Sequence, residues 1–311
     1  MITQNDIREA ASRIGGRIRR TPIWRLDPSD HGLHGVKVTL KLEFMQVTGS
    51  FKPRGAFNAL LTAEEWPDAG VIAASGGNHG LAVAHAARSL GLPAEIFVPD
   101  TTPETKRRRI AATGATLTIG GASYDEARAA SEARAAETGA LMIHAYDQDP
   151  VLAGQGTVAM EFEQQEPDLT HVLVAVGGGG LYGGVASWFG DMAEVIPVEP
   201  DQCPALMMAL MMGRPVPAPV GGIAADSLGA RVIGERAFAI AQRLGGQVVM
   251  IGDEAIRAAQ RTLWETLRLA VEPGGATAFA ALLAGAWRPP PGSHVGVILC
   301  GANGDPGMVA G

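Results

Sequence analysis

The sequence is poor in the residue types that mark several protein classes. Its only cysteines are Cys203 and Cys300, too few for a disulfide scaffold and without zinc-site spacing, so we expect no metal centre. No apolar run is long enough to cross a bilayer, and residues 1–6 have no signal-peptide layout. Basic residues number 25 against 32 acidic ones, which argues against a nucleic-acid or membrane partner. These absences predict a cytoplasmic protein.

Basic residues are concentrated at one place, residues 106–109. The preceding Thr-Pro-Glu predicts that they begin a helix, and the cluster is more typical of a solvated helix face than of a phosphate site. The tail after Pro306 is the only segment that looks disordered.

Glycine and apolar residues are plentiful, with 41 glycines and 47% hydrophobic residues in 311. A chain of this length and composition buries a large core and suggests about two domains. Abundant glycine and alanine suit helices packed closely on a sheet, and ligand sites made by backbone atoms.

Short apolar segments alternate with longer amphipathic ones along most of the chain. Strands are predicted at residues 36–42, 71–74, 94–98, 115–119, 141–143, 171–176, 195–198 and 294–300, and helices at 7–18, 81–90, 104–112, 124–137, 150–164, 181–189, 253–269 and 277–286. Residues 20–23 are predicted to form a turn, and residues 213–222 a surface loop that is a candidate lid or subunit contact.

This alternation predicts an α/β protein with two mostly parallel sheets flanked by helices. We expect a large domain from residues 1–41 and 145–311, a small inserted domain from residues 42–144, and an active site in the cleft between them.

A lysine with unusual surroundings follows the first long strand. Phe51 precedes Lys52, Pro53 follows it, and Ser50 is a candidate cap, so Lys52 is expected in the first turn of a helix that begins near Phe51. The positive helix end disfavours the ammonium form, which is what an imine-forming lysine needs.

Two glycine-rich loops each connect a predicted strand to a helix. Gly177, Gly178, Gly179 and Gly180 follow the strongest buried strand, and we interpret them as a phosphate loop rather than a turn needing positive φ. They match neither a Walker loop nor a dinucleotide fingerprint. The second loop runs from Ser75 to His79; it either binds a carboxylate, with Asn78 bonding a phenolate-like oxygen, or is a capping turn with Asn78 at positive φ.

Cys300 ends the last predicted strand and opens the segment Cys300-Gly301-Ala302-Asn303. At the carboxyl end of a parallel strand it would face the same crevice as the glycine loops. Alone it would be interpreted as a small buried hydrophobe.

These four segments, in this order, resemble the pyridoxal-phosphate enzymes of the tryptophan-synthase-β fold type (fold type II). The similarity covers nearly the whole chain, and the serine/threonine dehydratases are the closest branch, with serine racemase beside it.

The resemblance implies a role for each segment. Lys52 would hold pyridoxal 5'-phosphate as an imine and act as the catalytic base. Around the cofactor, Phe51 would pack on a ring face, Asn78 would bond the ring hydroxyl and Cys300 would face the pyridine nitrogen. The phosphate would be bound by Gly177, Gly178, Gly179 and Gly180. The substrate carboxylate would be bound by Ser75, Gly76, Asn78 and His79. Glu199 and Glu272 also match family positions, where each either takes part in the site or simply supports a loop.

The implied reaction is dehydration and deamination of L-threonine or L-serine to a 2-oxo acid and ammonia. Gly76 stands where the racemase has a catalytic serine, so little racemisation is expected. In the racemase a second acidic residue, after the position of Glu199, helps to bind a divalent cation. The nearest residue here is Ala205, which is not acidic, and this argues against a metal requirement. The chain stops soon after its last motif, so no regulatory domain is expected, and the family suggests a homodimer.

Other interpretations remain open. A nicotinamide-dependent Rossmann enzyme would explain the alternation but gives Lys52 and Cys300 no role, and a non-catalytic binding protein would share the cofactor contacts. Cysteine and threonine synthases usually carry threonine where His79 stands. Lyases for 3-hydroxyaspartate, phenylserine or a hydroxyectoine-breakdown intermediate share the motifs, and the side-chain pocket lies in loops that the sequence does not place.

Overall fold

The computed structural model describes residues 1–27 and 32–305. The disorder predicted after Pro306 lies outside these residues. The helices are α1 (Gln4–Ile14), α2 (Lys52–Thr62), α3 (Asn78–Leu90), α4 (Glu104–Ala111), α5 (Tyr124–Thr138), α6 (Asp149–Gln165), α7 (Gly180–Phe189), α8 (Ala205–Met212), α9 (Ala225–Leu228), α10 (Glu235–Leu244), α11 (Asp253–Leu267) and α12 (Pro273–Leu283). The strands are β1 (Ile23–Arg25), β2 (Lys37–Lys41), β3 (Val71–Ala74), β4 (Ala94–Val98), β5 (Thr116–Ile119), β6 (Leu141–Met142), β7 (His171–Ala175), β8 (Glu194–Pro200), β9 (Val249–Ile251) and β10 (His294–Ile298).

The strands form two sheets. One has six strands in the order β1-β2-β10-β7-β8-β9, and the other has four in the order β5-β4-β3-β6. Every pairing is parallel except that of β1 with β2. The α/β class with mostly parallel sheets is therefore confirmed.

Local sequence explains the well-predicted elements. Thr3 and Asp6 form a capping box at the start of α1, whose buried face is Ile7, Ala10 and Ile14 at helical spacing. In β7 the last four residues are buried, as expected for a central parallel strand covered on both faces.

Some elements differ from the sequence prediction. The turn expected at residues 20–23 is wrong: the first helix ends earlier, at Ile14, the turn follows at residues 15–17, and residue 23 already belongs to the edge strand β1. Strand β9 and helices α8, α9 and α10 were not predicted. Residues 213–222 form no helix or strand, as expected. Among the described residues, no helix is both long and apolar enough to cross a membrane.

Helix α2 connects the two halves of the fold. It packs against α6 and α3, which flank the six-stranded and the four-stranded sheet respectively. Since Lys52 is the first residue of α2, this packing places the lysine where elements from both sheets meet.

A buried cluster of charges holds α2 against β2 and α6. The Arg54 guanidinium lies 2.8 Å from the Glu43 carboxylate and 3.0 Å from that of Glu161, while Lys41 Nζ lies 2.6 Å from Glu161. Two positive and two negative groups are thus paired, which buried charges require. The sequence analysis did not identify this cluster.

Candidate active site

The lysine segment starts α2 without the predicted serine cap. Phe51 is the N-cap residue and no side chain caps the helix. The Ser50 hydroxyl is buried without a hydrogen-bond partner, and Ser50 instead pairs with Gly301 through the backbone in extended conformation. The predicted capping role of Ser50 is therefore wrong, because the helix begins too late for its hydroxyl to reach the first-turn amides.

The Lys52 amine is only partly exposed and is held by a backbone carbonyl. Its Nζ donates a hydrogen bond to the Ala145 carbonyl at 2.8 Å and lies 5.2 Å from the centre of the Phe51 ring. Burial lowers the pKa of Lys52 to about 8, while the nearby Cys300 and Glu272 act in the opposite direction. Desolvation therefore depresses this pKa, whereas the sequence argument had relied on the helix end.

Cys300 lies beside the lysine segment, two residues after β10 ends at Ile298 and not within the strand, as had been expected. Its carbonyl accepts a hydrogen bond from the Phe51 amide at 3.1 Å, and its thiol donates to the Gly274 carbonyl at 3.5 Å. Burial raises the pKa of this thiol well above its ordinary range, so the group is neutral at physiological pH.

The glycine loop between β7 and α7 is built for close backbone approach. Gly179 has φ of +90°, and a methyl group added there would overlap Ala237, while one added at Gly178 would overlap the Tyr146 ring. Within the described chain, the amides of Gly177, Gly178 and Gly179 donate no hydrogen bond. Free amides at a helix N-terminus fit a phosphate group.

The Tyr146 side chain was not identified from the sequence. Its hydroxyl donates to the Val232 carbonyl at 3.1 Å, and its backbone borders Gly180. Ala145 accepts the hydrogen bond from the lysine amine, and Tyr146 packs against the glycine loop. This two-residue segment therefore connects the lysine with the glycine loop.

The loop from Ser75 to His79 connects β3 to α3. The Ser75 hydroxyl accepts from the Gly77 amide at 3.2 Å, and Asn78 begins the helix instead of adopting positive φ. The His79 ring bonds the Ile143 carbonyl at 2.9 Å, and burial lowers the pKa of His79 to about 3. The imidazole is therefore neutral, and its hydrogen bond to Ile143 engages it. The backbone amides at the start of α3, and not the ring, are thus the groups that could bind an anion.

Three polar residues from distant parts of the chain meet next to this loop. Asn78 Nδ2 donates to Glu272 Oε1 at 2.6 Å, and Asn303 Nδ2 donates to Asn78 Oδ1 at 2.6 Å. Burial raises the pKa of Glu272 to about 6. The resemblance suggested Glu272, but the Asn303 side chain had no assigned role; its position after Cys300 was the signal that could have identified it.

Glu199 has a different environment. Its carboxylate accepts hydrogen bonds from the Leu206 and Met207 amides at 2.7 and 2.8 Å, at the beginning of α8. Burial raises the pKa of Glu199 to about 7. The sequence left open whether Glu199 takes part in the site or supports a loop, and these contacts favour the supporting role.

A cluster of metal-ligand type lies at the amino ends of β7 and β10 in the large sheet. Glu166, Asp168 and His294 have ligand atoms within 4.8 Å of one another. Arg25 lies 2.6 Å from the Glu166 carboxylate and Lys37 lies 3.2 Å from that of Asp168. Two cations therefore already neutralise the carboxylates at this place.

Comparison with known proteins agrees with this geometry. Residues 14–301 match the family model described as pyridoxal-phosphate dependent enzyme. The chain is 37% identical over 287 residues to the L-threonine ammonia-lyase of Geobacter sulfurreducens. The aligned region covers 91% of this chain and 71% of that protein.

Two solved structures superpose on nearly the whole chain. The T.th. threonine deaminase has a TM-score of 0.90 and 34% identity, and covers 98% of this chain and 99% of its own. The serine racemase of Dictyostelium discoideum has a TM-score of 0.90 and 31% identity, with the same coverage. The resemblance drawn from the four segments is confirmed, and the chain belongs to the family of pyridoxal-phosphate-dependent enzymes, with the fold of type II.

Proposed function

We propose that this enzyme dehydrates and deaminates L-threonine, L-serine or both, releasing a 2-oxo acid and ammonia. The observation that carries the proposal is the partly buried Lys52 amine, whose pKa is lowered to about 8, in a site that also holds a loop of free glycine amides and a neutral thiol. The similarity to the Geobacter ammonia-lyase and the T.th. deaminase supports the substrate class.

The residues fit the cofactor in charge and shape. Lys52 would hold it covalently, with Phe51 beside the ring, Asn78 at its hydroxyl and Cys300 at its nitrogen. The free amides of residues 177–179 and the helix end at Gly180 would hold the phosphate. When bound, pyridoxal phosphate withdraws electrons from the substrate Cα and so makes the Cα proton removable.

Each protein group then has a definite task. Lys52 Nζ takes the Cα proton, because its depressed pKa leaves it able to act as a base near neutral pH. The Ser75 hydroxyl and the first amides of α3 hold the substrate carboxylate. The Cys300 thiol stays neutral, so it would offer the pyridine nitrogen of the bound cofactor no charged partner, which would suit elimination of the β-hydroxyl as water.

Racemisation is the second activity considered, because a serine racemase is a structural neighbour. A methyl group added at Gly76 would overlap the Thr102 side chain, so the space that a catalytic serine would need at this position is filled. We therefore expect elimination from one enantiomer with little racemisation. Rapid exchange of the Cα proton of serine with D₂O, accompanied by D/L interconversion, would contradict this.

The larger organisation is proposed from the order of the strands. All strands of the four-stranded sheet lie between residues 71 and 142, which supports a small domain of residues 42–144 inside a large one of residues 1–41 and 145–311. The loop at residues 213–222 stays a candidate lid or subunit contact. A homodimer and a cytoplasmic location complete the proposal.

The test measures 2-oxo acid and ammonia released from L-threonine and L-serine by the purified enzyme. We expect stoichiometric release, and we expect Lys52→Ala to abolish both turnover and the cofactor chromophore. A Lys52→Ala variant that kept both would refute the role of Lys52. Absent release, with a chromophore that responds to other amino acids, would favour a lyase for a different β-hydroxy amino acid such as 3-hydroxyaspartate or phenylserine.

A further inference from the structure

We infer that Asn303 is a positioning residue, which fixes the Asn78 side chain with its nitrogen available to the ring hydroxyl of pyridoxal phosphate. The inference rests on the proposed function in one respect, namely that Asn78 contacts this hydroxyl. It goes further because an asparagine amide can be turned by 180° with little change in shape, and only its neighbours decide which end faces the cofactor.

The orientation of Asn303 is determined at both ends of its side chain. Its Nδ2 lies 2.7 Å from the Thr48 carbonyl, which can only accept a hydrogen bond. Its Oδ1 lies 2.5 Å from Arg109 Nη2, which can only donate. Turning the amide over would place two acceptors together at one end and two donors at the other.

Asn303 and Glu272 together determine the orientation of Asn78. The second Nδ2 hydrogen of Asn303 is directed to Asn78, so the atom of Asn78 that lies there, 2.6 Å away, must be the acceptor Oδ1. Asn78 Nδ2 then faces the Glu272 carboxylate at 2.6 Å. This uses one of its two hydrogens, and within the described chain the other makes no hydrogen bond. Asn78 thus retains one free donor for an anionic oxygen.

The network is compact and attached to rigid parts of the fold. The Asn303 backbone amide donates to Glu272 Oε2 at 3.0 Å, so a single carboxylate holds both asparagines. A methyl group added at Gly301 would overlap Glu272 Oε1. Arg109 belongs to the basic cluster predicted to be a solvated helix face, and its contact with Asn303 shows that one member also reaches across to the last loop.

The experiment measures noncovalent binding of pyridoxine 5'-phosphate, which carries the ring hydroxyl and the phosphate but no aldehyde for Lys52. Titration calorimetry compares cofactor-free wild type, Asn303→Ala, Asn78→Ala and the double variant. We expect Asn303→Ala to bind the probe about tenfold more weakly, because Asn78 Oδ1 loses its donor and the Glu272 carboxylate alone then holds the side chain. The double variant should bind no more weakly than Asn78→Ala.

Controls separate positioning from general structural damage. Arg108→Ala, in an exposed pair with Glu104 on the same helix as Arg109, should bind within about twofold of wild type, since it does not contact Asn303. Asn303→Asp, which keeps the size but loses the donor, should reproduce the loss if Asn303→Ala folds poorly. Wild-type affinity in both Asn303 variants, or additive losses in the double variant, would overturn the inference. A wild-type protein that binds no pyridoxine 5'-phosphate would instead overturn the proposed function itself.

Discussion

Replacing Lys52 by methionine should stabilise the cofactor-free enzyme at neutral pH. The pKa of Lys52 is 10.5 in the ordinary case and about 8 in the folded protein, with burial as the main cause. Below pH 8 the folded protein must keep a poorly solvated ammonium group, and this difference in pKa corresponds to about 3 kcal/mol. Methionine has a similar shape and carries no charge.

The net gain is smaller than this. Lys52→Met also loses the hydrogen bond to the Ala145 carbonyl, about 1 kcal/mol, and the partial solvent exposure of Lys52 reduces the cost of its charge further. We therefore expect a gain of about 1 to 2 kcal/mol at pH 7, or a few degrees in Tm.

The pH dependence identifies the cause. Between about pH 8 and pH 10.5 the unfolded chain keeps a proton on Lys52 that the folded protein has lost, so wild-type stability rises with pH across this interval. The advantage of Lys52→Met should thus fall by more than half by about pH 9.5. Urea unfolding at both pH values provides the measurement, and Lys37→Met, at a lysine whose side chain is 74% exposed, is the control. A variant less stable than wild type by the same amount at both pH values would refute the reasoning.

Two further predictions concern the phosphate loop and the buried charges. Gly179→Ala should lower both cofactor content and Tm, because the added methyl group has no space. Gly91 has a similar positive φ but open space around it, so Gly91→Ala should cost only about 1 to 2 kcal/mol of stability and leave cofactor content unchanged. Equal effects of the two variants would mean that crowding at Gly179 is unimportant. Arg54→Leu leaves the buried Glu43 carboxylate without its ion-pair partner and Glu161 with Lys41 alone, and should cost about 3 to 5 kcal/mol in urea unfolding, while Arg128→Ala, in an exposed pair, should cost less than about 1 kcal/mol. Similar losses in the two arginine variants would contradict the energetic importance of burial.

Much of the fold and of the candidate site could be predicted from local sequence. The strand at residues 71–74 and the helix at residues 181–189 appear within a residue of where the apolar patterns placed them. The two glycine loops and Cys300 were identified because each follows a strand, and the carboxyl ends of parallel strands meet at the same end of a sheet. Lys52 was identified from its neighbours Phe51 and Pro53 at the start of a predicted helix.

The tertiary structure alone decided the interactions between residues that are far apart in the chain. The Arg54 cluster joins residues more than 100 positions apart, and the bond between Asn78 and Asn303 spans 225 positions. The edge strand β1 has only three residues and exists because β2 pairs with it. Ser50 looked like a helix cap locally, but the strand-like pairing with Gly301 removed its hydroxyl from the helix end. Local patterns determine which segments fold and which groups carry chemistry, while burial and long-range hydrogen bonds determine the pKa of Lys52 and the orientation of each amide.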